Sequence, residues 1–250
     1  MTLLEHLAEL RTRLFRMALA LTVGAVVGYM VFPDFLDVIM RPYCDLPTAL
    51  RVTEGDGCVL LAFRPLEPFS VRMKSALVIG LFIGGPVIFY QLWRFITPGL
   101  TSKERRYALP FVVLSQIMFA FGIAFAYLII PQGLRILLGM GGESIAPALT
   151  AAEYLSFFLT TSLAFGIVFE LPLVLVFLAM VGMVSAAGLR RFRPYAVVIN
   201  VIVAAIVTPT TDAVTLLFLA GPMILFYEFS IIAAWFIERG RRRRAQAEAA

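Results

Sequence analysis

Residues 154–183 read YLSFFLTTSLAFGIVFELPLVLVFLAMVGM, and this stretch decides the fold. Its apolar side chains run without the every-second-residue alternation of a barrel strand, and Glu170 is the one ionisable group within it. Helix over these residues reaches roughly 45 Å at 1.5 Å per residue, longer than the ~30 Å hydrocarbon core of a bilayer. It reads as a transmembrane helix that must tilt or bend, with Pro172 a place for a kink. The rest of the chain has the same character. Of 250 residues 61% are apolar and 15% charged, against about 25% charged in a soluble domain. Mean hydropathy is +0.92. These values exclude a soluble globular domain, a disordered chain and a disulfide-dense secreted scaffold.

Working outward predicts an all-α integral membrane protein of six spans, at about 14–32, 69–93, 107–130, 154–183, 195–207 and 213–227 or a little beyond. No small-residue cleavage site follows the first apolar run, so it is expected to remain as a span. Of the 21 Lys and Arg, 15 fall in alternate segments: Arg11, Arg13, Arg16; Arg94, Lys103, Arg105, Arg106; Arg190, Arg191, Arg193; and Arg239, Arg241, Arg242, Arg243, Arg244. The positive-inside rule then sets both termini in the cytoplasm. The expected organisation is one transmembrane domain over 1–238 and a basic tail over 239–250, expected to be disordered. The fifth span is short, roughly 20 Å of helix, and must thin the bilayer or lean on longer helices. Gly24-x-x-x-Gly28 and Gly80-x-x-x-Gly84 offer faces for close helix packing.

The reactive side chains exclude most enzymes. His6 is the one histidine, no Gly-x-x-x-x-Gly-Lys motif is present, and two cysteines do not make a zinc site. No catalytic residue, metal, cofactor or nucleic-acid partner is expected. Cys44 and Cys58 share the long outer loop, 33–68, where disulfides persist; a bridge is the expectation, two unpaired thiols the alternative.

The carboxylates at the inner face and in the membrane each carry two readings. Thr2 with Glu5 opens an amphipathic helix whose stripe, Leu3, Leu7, Leu10 and Leu14, suits the interface before the first span. Glu9 and Arg13 are spaced for an i,i+4 ion pair on that helix. Glu104 with Thr101, and Glu153 with Thr150, form capping boxes. Glu170 within a span is a functional candidate by default, or else a carboxyl bonded to a neighbouring helix. Glu228 is placed to reach the interface, and Asp212 to cap the sixth span.

The chain resembles the TatC family, the core receptor subunits of the twin-arginine protein translocase. The resemblance rests on His6-Leu7-x-Glu9-Leu10-Arg11-x-Arg13-Leu14, Tyr90-Gln91-x-Trp93-x-Phe95-Ile96-x-Pro98-x-Leu100 and Glu104-Arg105-Arg106. It continues in Phe125-Ala126-Tyr127, Tyr154-Leu155-Ser156-Phe157, Phe165-Gly166-x-x-Phe169-Glu170-x-Pro172, Arg193-Pro194-Tyr195 and Thr208-Pro209. It implies a cup-like arrangement with short fifth and sixth helices, in a bacterial or archaeal cytoplasmic membrane. It implies binding of the paired arginines of signal peptides on folded cargo by Glu9 and Glu104, with Leu10, Arg11 and Phe95 as neighbours. It further implies oligomers, and single-span partners of TatA and TatB type docking near spans five and six. Glu170, Thr208 and Asp212 would serve partner contacts, and Pro42 matches an outer-loop proline. In some relatives of that family the aspartate lies one position closer to Pro209. A carboxylate takes a guanidinium by two parallel hydrogen bonds that lysine does not copy. The competing reading is a proton-coupled small-molecule transporter built on Glu170, against which stands the lack of internal repeats.

Overall fold

Two antiparallel helices in backbone contact open the fold. A Cβ on Gly28 would fall 2.7 Å from the carbonyl oxygen of Ala76, and Gly24 meets Gly80 in the same way. These glycines are needed there because any side chain would separate the two backbones. They belong to α1 (Leu3–Met30) and α3 (Glu67–Ile96). The remaining elements are α2 (Phe32–Cys44), a short 3-10 turn (Thr48–Leu50), the two-residue strands β1 (Thr53–Glu54) and β2 (Gly57–Cys58), α4 (Ala108–Gly139), α5 (Ala151–Val181), α6 (Ala186–Val207) and α7 (Ala213–Ala249). The computed structural model describes residues 3–54, 57–96, 108–139, 149–207 and 213–249.

Among the described residues five helices are long and apolar enough to cross a membrane: Leu7–Met30, Glu67–Phe95, Leu109–Gly139, Ala151–Val181 and Ala220–Arg241. The expected fifth span lies in α6. That helix starts earlier than expected and carries Arg190, Arg191 and Arg193 in its first half, so only its second half is apolar.

α5 sits at the centre, packed on α3, α4 and α7. Its Tyr154, Phe165 and Phe169 are among the most buried side chains. Gly122 of α4 and Gly166 of α5 admit a second close approach: a Cβ on Gly122 would lie 2.6 Å from Phe165 O. α5 begins in a capping box, with Glu153 N–H donating to Thr150 Oγ1 at 3.1 Å and Thr150 N–H to Glu153 Oε2 at 3.0 Å. It ends at Gly182, whose φ of 86° suits glycine, with Gly182 N–H donating to Ala179 O and Met183 N–H to Leu178 O. α1 packs almost solely on α3 and turns Phe15, Leu19, Val23, Val26 and Met30 outward, the apolar face a lipid-embedded helix shows.

Four features differ from expectation. The sixth helix is not short: α7 runs Ala213–Ala249, 37 residues. The N-terminal segment does not turn before the first span, because α1 is one unbroken helix. The outer loop is largely ordered: Phe32, Phe35, Leu36, Ile39 and Tyr43 repeat at helical spacing in α2 and pack toward the core. The basic stretch after 238 continues α7 to Ala249 as helix; Arg, Ala, Gln and Glu are all strong helix formers.

The end of the bundle that holds α2 is pinned by polar contacts. Cys44 and Cys58 are bridged, with Cα atoms 5.6 Å apart. Glu67 is buried; its Oε1 accepts Ala152 N–H at 2.8 Å and its Oε2 accepts Phe63 N–H at 3.1 Å and Arg64 N–H at 3.4 Å. One carboxylate thus holds the outer ends of α3 and α5 together. Tyr154 Oη donates to Ile39 O, Tyr127 Oη donates to Val38 O at 3.2 Å, and Tyr43 Oη accepts Val52 N–H at 2.8 Å.

Candidate functional site

The glycine register positions the inner site. Counted equally from the Gly24–Gly80 contact, Glu9 of α1 comes level with Phe95 of α3, and Arg13 level with Gln91. The structure therefore gathers Glu9, Leu10, Arg11 and Phe95 at one end of the helix pair, the start of α1 and the end of α3. Leu10 and Arg11 are exposed, while Glu9 and Phe95 are half-buried.

Glu9 is ion-paired. Its Oε1 accepts Arg13 Nε–H at 3.1 Å and also Nη2 of the same guanidinium. Arg13 is only 7% exposed. The i,i+4 pairing read from spacing is formed, and it is formed by a residue that the same motif supplies. Gln91 is buried, and its Oε1 has no hydrogen-bond partner among the described residues. Arg13 and Gln91 lie within the quoted motifs but were given no site role. The signal for Arg13 was its spacing from Glu9; nothing local marks Gln91.

Glu170 lies in α5, half-buried, beside Ser115 of α4. Its Oε1 is buried with no hydrogen-bond partner among the described residues. Ser115 Oγ accepts Trp93 Nε1–H at 2.9 Å, and the Trp93 ring packs on Phe111 and Phe177 at centroid separations of 4.8 and 4.7 Å. Trp93 closely precedes Phe95, so the inner end of α3 joins the Glu9 level to the Glu170 level. Pro42, Cys44 and Cys58 lie at the opposite end, about 30 Å of helix from Glu9. The structure does not bring the two groups together. Glu104, Thr208 and Asp212 lie outside the described residues.

A helical membrane protein with a half-buried carboxylate at one end of its helices and another further along them has the make-up of a receptor or carrier of charged segments. Comparison with known proteins narrows this class. A family model described as "Sec-independent protein translocase protein (TatC)" matches residues 5–222. A protein of Frankia casuarinae named "Sec-independent protein translocase protein TatC" is 40% identical, covering 98% of this chain and 68% of that one. One of the same name from Koribacter versatilis is 37% identical over 100% and 91%. The structure described as "Crystal Structure of Twin Arginine Translocase Receptor- TatC in DDM" superposes with a TM-score of 0.80 at 34% identity, covering 92% of this chain and 99% of that one. The chain belongs to the TatC family. It is a membrane subunit of the Sec-independent, twin-arginine protein translocase, a receptor component rather than a catalytic enzyme.

Proposed function

We propose that this chain binds the Arg-Arg motif of signal peptides on folded cargo, and that it nucleates assembly with single-span partners of TatA and TatB type. The observation that carries the reading is the half-buried Glu9, level with Phe95 on the adjoining helix and already holding a guanidinium. A carboxylate whose Oε1 already accepts Nε–H and Nη2–H of Arg13 is placed to accept an arginine from a peptide. Exchange of Arg13 for an incoming arginine replaces one charge-assisted pair by another but leaves the buried Arg13 guanidinium to be matched elsewhere, so the exchange itself supplies no affinity. Net affinity then comes from Glu104 and from the apolar segment of the peptide, whose burial contributes about 25 cal/mol per Å². Glu170, half-buried with Oε1 unmatched among the described residues, is assigned to a polar group of a partner helix, with Thr208 and Asp212 as further partner contacts.

The topology that goes with this reading has six spans in a cup-like arrangement within one domain over 1–238, both termini in the cytoplasm of a bacterium or archaeon, and assembly as an oligomer. The charge asymmetry of the loops supports it. The α6 apolar half would cross a locally thinned bilayer.

The test is site-specific crosslinking from residues 95–104 to a signal peptide bearing Arg-Arg or Lys-Lys. Crosslinks that form with Arg-Arg and fade with Lys-Lys, and that are lost in Glu9→Gln with Glu104→Gln, are the expected result. Equal labelling of both peptides, or unchanged export by the double variant, would refute the assignment.

A further inference from the structure

α6 and α7 are fastened along one side by three polar contacts. Tyr227 Oη donates to Leu189 O at 2.8 Å, Arg193 pairs with Glu228 at 2.6 Å, and Glu238 Oε1 accepts Ala186 N–H at 2.6 Å. Beside them opens a cavity of about 590 Å³ lined by Ala186, Ala187, Arg190, Trp235, Glu238 and Arg239. The two alanines leave its floor open. Its charge is lopsided: Glu238 is engaged with the start of α6, whereas neither Arg190 nor Arg239 forms an ion pair among the described residues. The Arg239 guanidinium lies 5.2 Å from the centroid of the Trp235 ring. Leading away from the cavity along α7 runs an exposed apolar stripe, Leu225, Phe229, Ile232 and Phe236, at helical spacing. Trp235 and Phe236 rings meet at 4.9 Å.

A pair of guanidiniums outside any ion pair among the described residues, an indole and an apolar track fit one kind of molecule: a phosphate diester joined to acyl chains. We infer that this cavity is a headgroup site for anionic phospholipid, with Arg190 and Arg239 holding the phosphate and the α7 stripe taking a chain. The inference rests on the proposed topology, which sets these helix ends at the inner membrane surface. Basic residues near the surface attract anionic lipid, tryptophan favours the headgroup level, and Arg binds phosphate through a fixed fork. The stripe is what favours a lipid over a soluble phosphate.

Tryptophan fluorescence tests this, because the chain has two tryptophans and Trp93 is buried. The full chain is reconstituted in phosphatidylcholine vesicles with added phosphatidylglycerol, one lipid or the other carrying brominated chains. The Trp235 signal is the difference from Trp235→Phe. Brominated phosphatidylglycerol should quench Trp235 more than brominated phosphatidylcholine at equal mole fraction. Arg190→Gln and Arg239→Gln should each lower that preference about fivefold, while the control Arg191→Gln with Arg243→Gln keeps it. Equal quenching by both lipids, or equal loss in the control, overturns the site. Inorganic phosphate added in neutral detergent should leave Trp235 emission unchanged; a response like that to phosphatidylglycerol would assign the cavity to a soluble anion and overturn the lipid. Bromines placed high on the chain should quench best. Best quenching by bromines placed low would overturn the topology itself, whereas shallow quenching without headgroup preference overturns the lipid site alone.

Discussion

Pro42 and Tyr127 should behave as one unit, and a double-mutant cycle tests this. Proline has no N–H, so Val38 O, four residues earlier in α2, lacks the helical donor it would otherwise have. Tyr127 Oη from α4 donates to that oxygen at 3.2 Å. Replacing Tyr127 by Phe keeps the ring, which packs edge-on against Phe158, and removes only the donor. A hydrogen bond of this kind contributes about 1 kcal/mol net, and a carbonyl left unmatched costs about 1–3 kcal/mol. Val38 is partly open to solvent, so the lower figure applies and Tyr127→Phe should destabilise by about 1 kcal/mol. Pro42→Ala restores an N–H within reach of Val38 O. In that background Tyr127→Phe should cost close to nothing, giving a coupling of about 1 kcal/mol. Pro42→Ala alone also loses packing of a fully buried ring, but that term cancels in the cycle. The assay is equilibrium unfolding of the four proteins in mixed micelles, followed by Trp93 emission. If Tyr127→Phe costs the same within about 0.3 kcal/mol in both backgrounds, the two residues are independent and the reasoning fails.

Arg13→Gln should free Glu9 for an incoming arginine and raise signal-peptide crosslinking several-fold, at a cost in stability of about 3 kcal/mol because one partner of a mostly buried pair is removed; unchanged crosslinking would show that Arg13 does not compete at Glu9. Glu67→Gln replaces an oxygen that accepts a backbone N–H by an NH2 group, so the outer ends of α3 and α5 should separate at a cost of about 1–3 kcal/mol, read by protease nicking within 57–66. Cys44→Ser with Cys58→Ser should lower unfolding stability by about 3 kcal/mol from loop-closure entropy, and reducing agent should have the same effect on the parent and none on the variant.

Local patterns were legible in the sequence, and long-range ones were not. The Thr150–Glu153 box and the Glu9–Arg13 pair each lie within one helical turn, so residue type and spacing specify them. The glycines of α1 and α3 announced close packing but not their partner, since small residues at four-residue spacing carry no address. α2 was hidden in what read as a loop because its apolar spacing is brief and broken by Asp34, Asp37 and Pro42. The three N–H groups on Glu67 and the tyrosine hydroxyls on α2 join residues far apart in sequence, and only the fold brings them together. Of the inner site, the α1 and α3 residues were named from the motifs, and their shared level follows from the glycine register alone.

The pairing of Glu9 with Arg13 has a consequence for biogenesis. α1 leaves the ribosome before its companion α3 exists, and until then its glycine face meets lipid. The buried Arg13 is matched by Glu9 of the same helix and needs no second helix to cover its charge, while Arg11 and Arg16 are exposed. α1 can therefore be integrated alone and wait. Nascent chains halted before α3 should already have α1 embedded, and Gly24→Leu should leave that step untouched while blocking the later docking of α3. A helix that pairs its one buried guanidinium within itself but is incomplete in packing gives the translocon a fixed order of work: insertion first, partnership second.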